Sequence, residues 1–507
     1  MSDWDWIVVG AGAAGDVLAA RLSATGDARI LLLEAGPDFR TAQTPPDFLY
    51  RNTHIATPVD RNPEFWWHNL VARRTTRQAP RFYARGRGAG GSTTVNGLIA
   101  IRGVPEDFDG WAAAGASGWS FEDVLPSHRR LEDDFDYPDA PYHGRGGPIP
   151  VYRQPESGWG GMDRALAEAA VKLGLGWADD HNAPGATGAS PLAMNVRHGR
   201  RISTNDGYLE PARDRPNLAI RGDTLVDRLL IDGSRATGVV SARGERFELA
   251  PGGEVLVCCG AVHSPALLAR SGVGPASDLG RLGIPVVADL PVGEGFQDHP
   301  AVGFQVPVRA EAMQEPYGRH TNLCVRYSSG LFDAGPNDMM VLAMNHTAHH
   351  PDGGFSIWAN RCFSRGRVRL RSRDPEVDPE IEIRLLDDER DRRRLEQAID
   401  LGREILDSPA LRGIRTGRPI IPDPSRLLET VSDAKHSSGG CRMGGSNDRE
   451  TVVDSDCRVL GVEGLRVADN SICPDIVRGN TFLTAVLIGE HAFGRIAARA
   501  AVQNRIV

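Results

Sequence analysis

The stretch from Trp6 to Pro37, WIVVGAGAAGDVLAARLSATGDARILLLEAGP, limits the possible folds more than any other part of the chain. An apolar run, Ile7-Val8-Val9, leads into a glycine turn, Gly10-Ala11-Gly12-Ala13-Ala14-Gly15. A helical pattern through Val17, Leu18, Ala20 and Leu22 follows, then a second apolar run, Ile30 to Leu33, closed by Glu34. Strand, glycine turn, helix and strand in this order open a dinucleotide-binding unit. Gly10 allows the tight turn, Gly12 lets backbone N–H groups approach a pyrophosphate, and Gly15 lets helix and strand pack closely. The helix N-terminus presents its positive end to the phosphates. Glu34 stands where a carboxylate accepts hydrogen bonds from an adenosine ribose, which disfavours a 2′-phosphate. The motif alone does not separate FAD from NAD.

With 507 residues the chain has room for two or more domain-sized units around a buried cofactor. A formal charge of −8 argues against nucleic acid or an anionic membrane as partner. The N-terminal Met1-Ser2-Asp3-Trp4-Asp5 lacks the basic start and apolar core of a signal peptide, and no run of about 18 apolar residues offers a membrane span. A cytoplasmic location and no membrane insertion are therefore expected. The seven cysteines are scattered and form no CxxC, so structural thiols are expected and no metal site. Lys172 and Lys435 are the two lysines among 58 basic residues.

Farther along, an aromatic cluster, Glu64-Phe65-Trp66-Trp67-His68, precedes a second glycine-rich run, Gly86-Arg87-Gly88-Ala89-Gly90-Gly91-Ser92-Thr93-Thr94-Val95-Asn96-Gly97. Such a run suits a loop whose backbone lies against a polar ligand. Met162 to Leu173 has helical spacing, Glu254 to Gly274 reads as a buried strand turning into a short helix, and Glu389 to Leu406 reads as an exposed charged helix. Alternating stretches at Phe304–Val308, Cys324–Tyr327, Met339–Met344 and Phe355–Ala359 predict antiparallel strands that wall a pocket. The basic alternation from Arg365 to Arg373, followed by Asp374, Glu376 and Asp378, predicts a solvated strand face.

These motifs together resemble the glucose-methanol-choline (GMC) oxidoreductases, flavoenzymes that oxidise alcohols. Residues 86–96 match the first signature of that family, with Ala89 in place of a larger apolar residue; Gly260 to Gly274 meets the second at every constrained position. His436-Ser-Ser-Gly-Gly-Cys-Arg-Met-Gly444 resembles the HxxGTCRMG stretch, with Gly440 where Thr is usual. The likeness covers nearly the whole chain. It implies an α/β fold with a discontinuous Rossmann-like FAD-binding domain, residues 1–155, 196–300 and 431–507. Residues 156–195 and 301–430 would form a substrate domain with an antiparallel sheet.

The resemblance further implies FAD held by Gly10, Gly12, Ala13, Ala14, Gly15, Glu34 and Ala35 from the first motif, and by Arg87, Gly90, Gly91, Ser92, Asn96 and Gly97 from the second. Val226, Ala261, Asp469, Asn470, Asn480, Thr481 and Phe482 complete that set. Some relatives bind flavin covalently through a His where this chain has Val95, so noncovalent FAD is implied. His263 and His299 are read as structural.

Oxidising an alcohol requires loss of a proton from oxygen and a hydride from carbon. Imidazole suits the proton step, and a flavin N5 accepts the hydride. His436 is the expected base, and the Asn480 amide the donor that stabilises the developing alkoxide, although Asn also suits a helix N-cap. Trp67, Trp358 and Met344 are candidate pocket walls, the last two equally readable as core. If Lys435 faces the substrate, its charge favours an alcohol bearing carboxylate, phosphate or another electron-rich group and lowers the His436 pKa; if it points outward, it is a solvated cation. The expected partners are a small aromatic or heterocyclic primary alcohol and O₂ or another electron acceptor, with the oligomeric state left open. The alternative reading is an FAD-containing hydroxynitrile lyase of the same fold.

Overall fold

The computed structural model describes residues 3–49, 61–315, 318–347 and 353–506, with side chains to residue 498; Met1 and Ser2 of the N-terminal reading lie outside it. The first motif folds as its spacing requires. Strand Trp4–Val9 enters the turn at Gly10, helix Ala13–Leu22 follows, and strand Ile30–Leu33 returns parallel beside the first. Gly10 has φ +101°, and a Cβ there would meet the Cys258 carbonyl oxygen at 2.6 Å. At Gly15 a Cβ would lie 1.9 Å from the Gly10 carbonyl oxygen, so helix and turn touch backbone to backbone.

Leu218–Arg221, Ile30–Leu33, Trp4–Val9, Arg246–Val257 and Leu465–Val467 run parallel in that spatial order. Numbered along the chain, the order is 3-2-1-4-5, and it reverses between Trp4–Val9 and Arg246–Val257. A ligand crevice forms at such a reversal, beyond the C-terminal ends of the strands. Here those ends are Gly10 and Cys258-Cys259-Gly260, the last opening helix Gly260–Arg270. A hairpin, Val226–Asp232 and Arg235–Ser241, adds antiparallel to the other end of Arg246–Val257.

A second sheet, antiparallel throughout, has the order Ser432–Asp433, Pro300–Gln305, Gly354–Ala359, Met339–Met344, Leu323–Tyr327, Gly188–Pro191. The strand expected from Phe304 begins earlier, because Pro300 to Gln305 carries the register with Gly354–Ala359. A third sheet sets Glu294–Phe296, Gly366–Arg369 and Glu380–Glu382 against Val71–Arg73 and Arg81–Phe82, tying segments from the two expected domains together. Helix Gly161–Lys172 packs on the second sheet.

One expectation needs correction. Helix Glu389–Asp407 is charged but not exposed all round: Leu395, Ala398, Ile399, Gly402, Ile405 and Leu406 are buried, and a Cβ on Gly402 would strike the Phe304 ring at 2.2 Å. Arg394 on the same face is fully buried against Asp338 and Asp391. The arginine strip is solvated as expected, with Arg365, Arg371 and Arg373 exposed, and it is also ion-paired, Arg367 on Glu382 and Arg369 on Asp278 and Glu294. All seven cysteines are free. Among the described residues no helix is long and apolar enough to cross a membrane.

Candidate active site

A cavity of about 450 Å³ runs from the crevice of the parallel sheet to the antiparallel sheet. Nearly all the residues expected to hold the cofactor line it: Gly10, Gly12, Ala13, Ala14, Glu34 and Ala35 at one end, Gly91, Ser92, Asn96 and Gly97 along the side, and Val226, Ala261, Asp469, Asn470, Asn480, Thr481 and Phe482 around them. Three lie behind the wall. Gly15 is the helix contact already described, and Gly90, at φ +82°, turns the second loop. Arg87 Nη2 donates to the Ala35 carbonyl at 2.8 Å, and its guanidinium lies 5.3 Å from the Trp67 ring centroid.

The wall fits a dinucleotide. A Cβ on Gly12 would meet nothing closer than 3.9 Å and one on Gly97 nothing within 4 Å, so both glycines leave open space on the cavity side. Asn470 Oδ1 and Asn480 Oδ1 are buried with no partner among the described residues. Glu34 does more than wait for a ribose: its Oε2 accepts from Ala11 N–H at 2.8 Å, and its Oε1 from Gly36 and Gly88 N–H, both at 2.9 Å. The carboxylate thus clamps the two glycine loops to each other. Val95 is buried on the cavity wall.

At the other end of the cavity stand His436 and Asn480. Asn480 Nδ2 lies 3.0 Å from His436 Nε2. Asn480 is not the helix cap, since the final helix begins at Phe482. Behind the imidazole, His436 Nδ1 lies 2.9 Å from His299 Nδ1, and His299 Nε2 lies 3.0 Å from the Val477 carbonyl oxygen. A carbonyl only accepts, so His299 Nε2 carries the proton and its Nδ1 the lone pair. His436 must then donate from Nδ1, which leaves the lone pair on Nε2 to accept from Asn480 Nδ2 at 3.0 Å. The backbone carbonyl of Val477 therefore sets the tautomer of His436 through a second ring.

Asp298 fixes both rings by their backbones. Its Oδ1 accepts from the N–H of His299 at 2.7 Å and of His436 at 2.9 Å, and its Oδ2 accepts from the Tyr83 hydroxyl at 2.6 Å. Burial, with Asp433 adding repulsion, pushes its carboxyl above the usual range. Burial holds His436 well below the ordinary imidazole value, and His299, Arg85 and Lys435 push it the same way. This environment favours the neutral form of the His436 ring.

Of the expected pocket walls, Trp67, Met344, Trp358 and Lys435 all line the cavity. Trp358 is edge-on to His436, centroids 5.3 Å apart, and its Nε1 donates to Ser356 Oγ. With Ile99, Ala301 and Leu342 it forms an apolar wall. His263 lies on the cavity wall with its ring centroid 3.9 Å from that of Trp67, tilted by 32°; burial lowers its pKa to about 3, and its buried Nε2 has no partner among the described residues. His299 differs from the sequence reading: it bonds backbone as expected, but it is also the partner of His436. Its place in the sequence gave no hint, because 137 positions separate the two histidines. Asp298 and Tyr83 were missed as well; only the adjacency of Asp298 to His299 offered a signal. A separate buried cluster, Glu132, Asp134 and His143, is ion-paired with Arg102 and Arg153.

The chain matches the GMC oxidoreductase family models over residues 4–301 and 362–489. It is 36% identical to a 5-(hydroxymethyl)furfural oxidase of Methylovorus sp. (strain MP688), over 98% of this chain and 99% of that one. An oxygen-dependent choline dehydrogenase of Serratia proteamaculans (strain 568) is also 36% identical, covering 98% and 96%. Among solved structures, pyridoxine 4-oxidase from Mesorbium loti superimposes with a TM-score of 0.88 at 28% identity, over 98% of this chain and 99% of that one.

Proposed function

The chain belongs to the GMC oxidoreductase family and is an FAD-dependent oxidoreductase acting on alcohols, and from that premise we propose that it oxidises a small aromatic or heterocyclic primary alcohol to its carbonyl, with His436 as proton acceptor. The observation that carries this reading is the His436 Nε2 lone pair on the cavity wall, which accepts from the Asn480 amide at 3.0 Å. The alcohol hydroxyl replaces the Asn480 amide as donor to Nε2, and its oxygen accepts from Asn480 Nδ2. As the proton moves to Nε2, the amide stabilises the charge growing on oxygen and holds the carbinol hydrogen in one direction. His299 keeps the protonated ring in place through Nδ1. FAD bound in the crevice supplies the hydride acceptor, its N5. The Gly12 turn, Glu34 and the Gly91–Gly97 loop would hold it, and the apolar Val95 supports noncovalent attachment.

The substrate class is supported by the flat apolar wall of Trp358, Leu342 and Met344 beside the base. Free, largely buried thiols support a reducing compartment, which we take to be the cytoplasm.

Anaerobic stopped-flow mixing of the yellow protein with a panel of alcohols, followed by air, tests the reading. Bleaching that reverses quickly in air supports an oxidase, and bleaching that persists supports a dehydrogenase with another acceptor. Bound FAD that no alcohol bleaches would overturn alcohol oxidation and favour the lyase.

A further inference from the structure

Lys435 is where this chain sets a cation beside its own base. In an extended chain consecutive side chains point to opposite faces. Lys435 breaks that alternation with φ +64°, a conformation that L side chains rarely adopt, so it and His436 line the same cavity. The bend is held from both sides: Arg85 Nη1 donates to the Lys435 carbonyl at 2.9 Å, and the His436 N–H donates to Asp298 at 2.9 Å.

The other cations on the wall are engaged. Arg85 is held by Tyr83, Asp298 and the carbonyls of Ala84 and Lys435, and Arg270 donates to the carbonyls of Asp227 and Val226. Four acids lie on the wall: Asp433 pairs with Arg74, Asp469 accepts from Gly260 and Ser264, Glu34 clamps the glycine loops, and Asp378 is influenced by the charges of Arg371 and Arg87. Among the described residues, the Lys435 ammonium makes no hydrogen bond and no ion pair. Lys435 is thus the one cation on the wall without a partner among the described residues, and a cation so placed matches an anionic group on the ligand.

We propose that Lys435 binds a carboxylate on the substrate, so that the preferred alcohols are aromatic or heteroaromatic alcohols bearing one carboxylate. A carboxylate fits better than a phosphate, because only one unengaged cation faces a possible dianion. The proposal rests on the reading of His436 and Asn480 as the groups that receive the alcohol.

The test compares the holoenzyme with K435M and K435R, using meta- and para-(hydroxymethyl)benzoate against benzyl alcohol. The ratio of kcat/KM for carboxylate over neutral alcohol should fall about tenfold or more in K435M, the scale of one charge-assisted hydrogen bond, and recover largely in K435R. A second readout needs no turnover: the Kd of benzoate, from the perturbed flavin absorbance, should weaken by a similar factor in K435M, while that of benzamide should not. An unchanged selectivity ratio together with unchanged benzoate binding overturns the proposal. If no alcohol reduces the flavin, yet benzoate binding still depends on Lys435, the carboxylate site stands and the alcohol-oxidation reading falls.

Discussion

His299 and His436 meet through their Nδ1 atoms at 2.9 Å, with Val477 O at the far side of one ring and Asn480 Nδ2 at the far side of the other. This line of four groups reads in one direction only, because it ends on a carbonyl that cannot donate. In the proposed reaction, His436 is thereby delivered in the tautomer that proton abstraction needs. Replacing His299 with Phe removes the acceptor for His436 Nδ1–H in a buried site. The loss should be about 1–3 kcal/mol, a roughly 5- to 150-fold slower flavin reduction with the pH profile displaced. A His299→Phe enzyme with normal FAD content, rate and profile would show that the tautomer is set elsewhere.

His436→Ala should lower the rate of flavin reduction by about 10²- to 10⁴-fold, the usual contribution of a positioned base. FAD content, read from the absorbance spectrum, should be retained, since His436 stands at the substrate end of the cavity.

The depressed pKa of His436 fixes the sign of the pH response. The neutral form is the active one, so the rate of flavin reduction should hold as pH drops below 6.5, the ordinary imidazole value, and fail only as pH falls through the lower pKa of the folded site. Lys435 contributes to that depression. The acid limb of K435M should therefore move to higher pH than in the parent, measured with benzyl alcohol as reductant.

Acid should also weaken the fold early. Burial holds His181 and His263 at about 3 and His299 and His491 at about 4, whereas the unfolded chain takes up protons near 6.5. A depressed folded pKa gives stability that is present above the unfolded value and lost as pH falls. Each ring should cost about 1.4 kcal/mol per pH unit below 6.5. His143 has the opposite sign: burial pulls its pKa down, but Asp180 and Glu132 outweigh that and raise it, so its contribution is present at low pH and lost as pH rises. With His128 and His436 also held well below the ordinary value, six rings against one predict a Tm that drops clearly between pH 7 and pH 5; a flat Tm over that range would count against it.

The two glycines of the first turn separate folding from cofactor binding. Gly15→Ala places a Cβ 1.9 Å from a backbone oxygen and should lower Tm severely or prevent soluble expression. Gly12 is extended, φ −90° and ψ −165°, and its Cβ position is open. Gly12→Ala apoprotein should melt like the parent yet bind FAD about 1–3 kcal/mol more weakly, roughly 5- to 150-fold in Kd. Titration calorimetry on the two apoproteins checks this.

The local elements were legible before any tertiary structure: the Gly10–Gly15 turn, strand Ile30–Leu33, helix Gly161–Lys172 and the base candidate His436 all follow from spacing and residue type. Such features are fixed by neighbours along the chain, through backbone sterics and hydrophobic period. Gly440, where relatives carry Thr, is another local fact, since its φ of +101° suits glycine. The charged helix Glu389–Asp407 was only half legible, because its charges dominate the composition while its apolar stripe finds a sheet to cover. What surrounds the base was decided in three dimensions. His299, Asp298, Tyr83 and Arg85 reach His436 from segments more than a hundred residues away, and no period or motif encodes such a meeting. Hydrogen-bond direction and desolvation depend on which groups share a buried volume. The tautomer of His436, its lowered pKa and the inward side of Lys435 therefore belong to the folded chain and not to the sequence around them.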